Sequence, residues 1–158
     1  MIRLVAMDVD GTLTDGGIYM DGAGEFKKFY VQDGYGIVSL IRSGVEIAFI
    51  SGRHSPATDA RAGDLGVKHV YNGTKDKLSD LKSLADKIGV SQSEVCFIGD
   101  DVPDIPCIEW AGLGVAVGDA VGEVKSSADM TTESPGGRGA VREAADRILS
   151  MNGDSTPI

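Results

Sequence analysis

Cysteine is scarce in this chain: its 158 residues hold only two, Cys96 and Cys107. They form no Cys-x-x-Cys spacing, and each falls in an apolar strand or helix candidate, so both read as core thiols rather than metal ligands or a disulfide. That usage fits a reducing compartment. Long apolar runs are also missing. No stretch nears the roughly 20 consecutive apolar residues needed to cross a bilayer, so no membrane partner is expected. The chain enters a strand candidate almost at once, without a basic prefix, apolar stretch and cleavage site, which points to a cytoplasmic protein. Positive charge is in deficit: 15 Lys and Arg face 24 Asp and Glu, for a net charge of -9. A nucleic-acid surface needs a positive stripe to neutralise phosphates, so no nucleic-acid partner is expected. A small anionic substrate remains compatible, because local cations and a metal inside a site can receive it. There is no repeat and no low-complexity tract.

Glycine, by contrast, is plentiful. Its 22 residues are roughly twice the usual share, and with 42% of the chain apolar they suggest tight loops rather than a loose chain. The length suits one domain, residues 1-150, with 151-158 as a flexible tail. Leu4 to Met7 is a continuous apolar run of the kind that fills a central parallel strand. Gly16 to Phe29 reads as two short β arms around a Gly-rich turn, a hairpin flap over about 16-30. Helix candidates follow at Gly34–Ser43, from Pro56 to Leu65, from Asp76 to Ile88, through Ile105 to Trp110, at Val124–Ala128 and from Gly136 onward. Strand candidates alternate with them at Val45–Ile50, Lys68–Tyr71, Val95–Ile98, Leu113–Val117 and Met130–Thr132. This alternation predicts an α/β domain with a mainly parallel sheet and right-handed crossovers.

Two acidic clusters then stand out, Asp8-Val9-Asp10-Gly11-Thr12 and Gly99-Asp100-Asp101-Val102-Pro103-Asp104. Each follows an apolar strand candidate. Ligands of open α/β sheets bind beyond the carboxyl ends of the strands, so neighbouring central strands would bring these carboxylates together. Like charges repel unless a cation or proton intervenes, which makes a magnesium site acting on a phosphate the leading idea. Taken singly, each signal has an ordinary alternative. Asp-Gly is a common turn, a helix N-cap is the ordinary alternative for Ser51, and a solvated helical lysine near Lys75 and Lys82 is that for Lys77.

Four signals in this order, Asp8-Val-Asp10-Gly-Thr-Leu-Thr, Ser51-Gly-Arg, Lys77 and Gly99-Asp-Asp-Val-Pro-Asp104, make the chain resemble the haloacid dehalogenase-like (HAD) phosphatases over essentially its whole length. The resemblance implies a Rossmannoid three-layer fold and Mg2+ as cofactor. It implies that Asp8 is the nucleophile, forming an aspartyl-phosphate, and that Asp10 is the general acid and base. Asp8, Asp100 and the backbone carbonyl of Asp10 would hold the metal, with Asp101 and Asp104 behind them. Ser51, Gly52 and Thr12 would grip the phosphoryl oxygens, while Lys77 neutralises charge shared by Asp8 and phosphate.

The stretch from Asp10 to Gln32-Asp33-Gly34 is too short for a folded cap, and no long excursion follows Ser51. The chain therefore looks like the capless branch that forms homotetramers, in which a neighbouring subunit covers the site. Lys28-Phe29-Tyr30-Val31-Gln32-Asp33-Gly34, Ser51-Gly52-Arg53, Asp76-Lys77 and Gly136-Gly137-Arg138-Gly139-Ala140-Val141-Arg142-Glu143 resemble the family of phosphatases acting on 3-deoxy-D-manno-octulosonate 8-phosphate (KDO 8-phosphate). The implied partner is an acidic sugar phosphate. Arg53 and Arg61 are then the substrate contacts within a subunit, and Arg138 reaches the sugar acid across an interface. Helix-surface charge for Arg61 and a salt bridge for Arg138 are the alternatives. One departure stands in this pattern, Gln32 in place of the family's usual arginine. Other readings are a phosphatase for a nine-carbon sugar acid 9-phosphate, a phosphotransferase or mutase, and a non-catalytic receiver-like module.

Overall fold

A computed structural model of the chain describes residues 1–154. The central sheet grows from β1 (Leu4–Met7), whose four side chains are all buried. Such a run without polar alternation is what a strand needs when helices cover both faces. Around it lie β4 (Glu46–Ser51), β5 (His69–Asn72), β6 (Val95–Gly99), β7 (Leu113–Ala116) and β8 (Met130–Thr131), in the order β5-β4-β1-β6-β7-β8. Every neighbouring pair is parallel. A separate antiparallel hairpin is formed by β2 (Tyr19–Met20) and β3 (Glu25–Phe26).

Helices α1 (Val31–Arg42) and α2 (Pro56–Leu65) connect β1, β4 and β5 outward in one direction. Helices α3 (Lys77–Ile88), α4 (Ile105–Trp110) and α5 (Gly122–Ser127) carry the chain back through β6, β7 and β8 in the other. Right-handed crossovers put the two groups on opposite faces, giving three layers. Helix α6 (Ala140–Met151) packs beside α1 through a buried face that includes Val141, Ala144, Ala145, Ile148 and Leu149. The direction of winding reverses between β1 and β6, and that reversal opens a crevice at their carboxyl ends.

Several boundaries differ from the sequence expectation, the last helix starting at Ala140 rather than Gly136 among them. Helix α1 starts at Val31, not Gly34, because the extended Tyr30 serves as N-cap and two glycines continue inside the helix. Gly36 is needed there: a Cβ would lie 3.0 Å from Ala145 Cβ and 3.1 Å from Arg142 Cα, so glycine lets α1 and α6 approach. Helix α5 begins at Gly122 rather than Val124. The tail expected from residue 151 is anchored at first. Met151 is helical, and the Asn152 side chain accepts from Ile2 N and donates to Ile2 O, both at 2.8 Å. The rest of the expected tail, 155–158, lies outside the described residues.

The Gly136-Gly137 segment packs backbone against backbone on the loop after β1. Gly137 N donates to Thr12 O at 3.1 Å, and a Cβ on Gly136 would overlap the Gly11 carbonyl. Asp33 is buried and accepts from Arg142 N at 3.0 Å, so the Gln32-Asp33-Gly34 motif braces the start of α6 while Gln32 faces solvent.

Candidate active site

The ends of β1 and β6 are tied together, Asp8 N donating to Ile98 O at 3.0 Å. Beyond them the chain turns sharply: Thr12, Leu13 and Thr14 all donate their amides to Val9 O, and Gly11 takes φ +87°. A Cβ on Gly11 would overlap the Asp100 carboxylate. Glycine thus admits Asp100 to the turn, and carboxylate oxygens of Asp8, Asp100 and Asp104 gather within 4.8 Å of one another.

Lys77, the first residue of α3, reaches this cluster from the opposite layer. Its Nζ is 2.8 Å from both Asp8 Oδ1 and Asp104 Oδ1. Asp76 places it, capping α3 by accepting from Ser79 N at 3.0 Å. Lys77 is therefore no solvated helical lysine. Asp104 is buried and also accepts from the amides of Asp100 and Asp101, at 3.0 and 3.3 Å, through Oδ2. It orders the loop, as does Asp101, whose side chain accepts from Val102 N at 2.8 Å.

Electrostatics follow from this crowding. Burial, then the neighbouring Asp104, pushes the Asp8 pKa up to about 6 against the opposing pull of Lys77. Asp100 is pushed to about 9 by burial, by its hydrogen bond to Asp8 and by the charges of Asp8 and Asp104. Burial works against the Lys77 charge, yet Asp8 and Asp104 outweigh it and raise its pKa above the ordinary lysine range. Carboxylates so strained by mutual repulsion, with hard oxygen donors converging, fit a divalent cation.

A cavity of about 280 Å³ opens onto the cluster, lined by Asp8, Asp10, Ser51, Gly52, Arg53, Lys77 and the Asp100–Asp104 loop. Ser51 ends β4 and is buried, its hydroxyl donating to Arg53 O at 2.9 Å and accepting from Arg53 N at 3.4 Å. It does not cap α2; Ser55 holds that position. A neighbouring cavity of about 490 Å³ shares Gly52, Lys77 and Pro103.

A family model described as haloacid dehalogenase-like hydrolase matches residues 66–144. The 3-deoxy-D-manno-octulosonate 8-phosphate phosphatase KdsC of Escherichia coli K12 is 44% identical over 153 residues, 96% of this chain and 81% of that protein. KdsC of Yersinia pestis is 45% identical over 149 residues, 94% of this chain and 80% of that protein. A crystal structure of the Moraxella catarrhalis phosphatase, in complex with magnesium ion, phosphate ion and KDO, has a TM-score of 0.92 at 44% identity, covering 94% of this chain and 86% of that one. The chain belongs to the haloacid dehalogenase-like hydrolases, in the KDO 8-phosphate phosphatase family.

As a HAD-like hydrolase the chain departs from the expectation drawn from its sequence at two residues. Thr12 is fully buried, and its hydroxyl donates to Asp100 Oδ1 at 3.4 Å, so it braces an acidic side chain rather than lining the cavity. Arg61 lies away from the acidic cavity. Helix α2 carries it toward α1, where it sits 5.6 Å over the Phe29 ring, hydrogen-bonds Tyr30 O at 3.5 Å and lines a different cavity. Arg138 is exposed and absent from the lining of the acidic cavity. Arg53 is at the cavity, but its guanidinium forms a two-point pair with Glu25 of the hairpin. The sequence reading missed Glu25 and Lys27, whose Nζ is 2.6 Å from Asp10 Oδ1. Alternation along the hairpin arm was their only signal, one too short to read alone.

Proposed function

We propose that this phosphatase hydrolyses KDO 8-phosphate to KDO and inorganic phosphate through an aspartyl-phosphate on Asp8. The observation that carries the reading is the Asp8–Lys77 contact at 2.8 Å at the mouth of an acidic crevice, in a chain 44% identical to KDO 8-phosphate phosphatases. Asp8 and Asp100, with the Asp10 carbonyl, would hold magnesium, which supplies positive charge to the anionic phosphoryl group. Lys77 steadies Asp8 and takes up charge as phosphorus is attacked. Asp10 donates a proton to the departing sugar oxygen and afterwards accepts one from the attacking water. Ser51 and the Gly52 amide hold phosphoryl oxygens. Gln32, which stands in place of the family's usual arginine, is exposed on α1 and does not line the acidic cavity.

Phosphate release across KDO 8-phosphate, nine-carbon 9-phosphates, hexose 6-phosphates and nucleotides tests this reading. KDO 8-phosphate should lead the panel, and a chelator should abolish turnover; parity with hexose 6-phosphates would remove the sugar assignment.

The enzyme works as a homotetramer in the cytoplasm. Ile18, Tyr19, Met20 and Phe26 are exposed on the hairpin, an apolar surface that closed symmetry would bury. A neighbour would then cover the open cavity and bring Arg138 toward the sugar acid. Light scattering over a dilution series with parallel assays should find activity lost on dissociation; a fully active monomer would refute the shared site.

A further inference from the structure

Along β3 and the residue after it, side chains alternate in direction. Glu25 and Lys27 turn toward the cavity, whereas Phe26 turns away, 65% exposed and stacked on Tyr19. Period-two alternation thus gives one short arm a polar inner edge and an apolar outer one. Lys27 has a side chain fully shielded from solvent, with Nζ 2.6 Å from Asp10 Oδ1. Among the described residues, its ammonium makes no other hydrogen bond. A buried charge is tolerated only when paired, so Lys27 stays buried only while Asp10 faces it. Glu25 anchors the same arm to Arg53 on the cavity rim.

We infer that Lys27 is a positioning residue for Asp10, so that docking of the hairpin and aiming of the acid/base carboxylate are one event. The inference rests on the role proposed for Asp10 above. In the first step an Asp8 oxygen bonds to phosphorus and the bond from phosphorus to the sugar oxygen breaks. That oxygen keeps the electron pair and takes the proton of Asp10. In the second step a water oxygen bonds to phosphorus and passes a proton to Asp10, while Asp8 leaves with the electron pair of its broken bond. Both transfers need an Asp10 oxygen aimed at an oxygen joined to phosphorus. With Oδ1 on Lys27, Oδ2 is the atom turned to that task.

An aryl phosphate separates the two steps, because 4-nitrophenolate leaves without a proton. Lys27→Met should lower kcat for KDO 8-phosphate by about a hundredfold with KM changed less than about threefold, the scale of lost acid–base assistance. With 4-nitrophenyl phosphate it should keep the burst of 4-nitrophenolate and accumulate phosphorylated Asp8, read by mass spectrometry after quenching. Lys27→Arg, which retains the charge, should restore part of the rate. Added to Asp10→Asn, Lys27→Met should cause no further loss, since a residue acting through Asp10 has nothing left to aim. That neutral pair also leaves no unmatched charge, so it reports even if the single variant folds poorly.

Asp10→Asn alone should show the same burst and stalled hydrolysis; if it does not, the acid/base assignment itself fails. Suppose it does, and Lys27→Met slows phosphorylation by both substrates equally, changes only KM, or adds its loss to that of Asp10→Asn. The positioning role is then overturned.

Discussion

Asp8, Asp10 and Asp100 were legible as site candidates because each ends an unbroken apolar strand, and strand ends are where an open sheet keeps its ligands. Thr12 and Lys27 were not. A small hydroxyl after Asp-Gly can face a ligand or a neighbouring carboxylate, and only the fold shows that Thr12 chose Asp100. Lys27 follows an arm of two paired residues, too short for alternation to announce which side is inward. Gly11 is the residue on which the acidic cluster most directly depends. It needs φ +87°, and any Cβ would displace the Asp100 carboxylate. Gly11→Ala should therefore weaken apparent magnesium affinity by about 10–100-fold, comparable to disturbing the support of a metal ligand. Backbone strain should add a loss of about 1–3 kcal/mol in stability. Activity titrated with magnesium, beside urea unfolding, measures both; unchanged magnesium dependence would mean that Asp100 is not held by this turn.

At the scale of elements, the central strands were readable because burial on both faces leaves no polar alternation to confuse them. Helix ends were less so. The helix read from Gly34 starts three residues earlier, at Val31, and inside it packing of Gly34 on Arg61 and Leu65 and of Gly36 on α6 outweighs the weak helix propensity of glycine. The C-terminal boundary shows the same limit. Asn152 opens a polar, small-residue stretch that reads as frayed, but its amide closes two backbone bonds with Ile2, joining the chain's first described residues to the end of α6. Asn152→Ala would leave the Ile2 amide and carbonyl without these partners. Partly buried bonds of this sort support a loss of about 1–3 kcal/mol. Urea unfolding should show it as a lower midpoint with an unchanged slope, while turnover of folded protein stays at the wild-type value because Asn152 lies outside the acidic cavity. A midpoint unmoved by the substitution would show that solvent replaces both bonds.

For the whole molecule, the topology concentrates charge where the winding reverses, in a protein already at net charge -9. Folding brings Asp8, Asp100 and Asp104 together, and the direction of the resulting shifts determines how stability varies with pH. Asp8 at about 6 and Asp100 at about 9 both lie above the unfolded carboxyl value of 3.8. Between the unfolded value and about 9 the metal-free folded state holds more protons than the unfolded chain, so stability falls as pH rises through that window. The two groups share a hydrogen bond, so the fall belongs to the pair rather than to either residue. A divalent cation inverts this behaviour: it binds the deprotonated carboxylates, displaces their protons and offsets their repulsion. Without metal, the unfolding temperature should drop by several degrees between about pH 5 and pH 9, the size expected when a domain of this length loses one or two kcal/mol. Magnesium should raise it more at high pH than at low pH, and adding magnesium to unbuffered protein near neutrality should release protons. Calorimetry with and without magnesium reads both effects. A magnesium-induced rise that is the same at both ends of the range, with no proton release, would place the cation away from the carboxylates at the β1–β6 crevice.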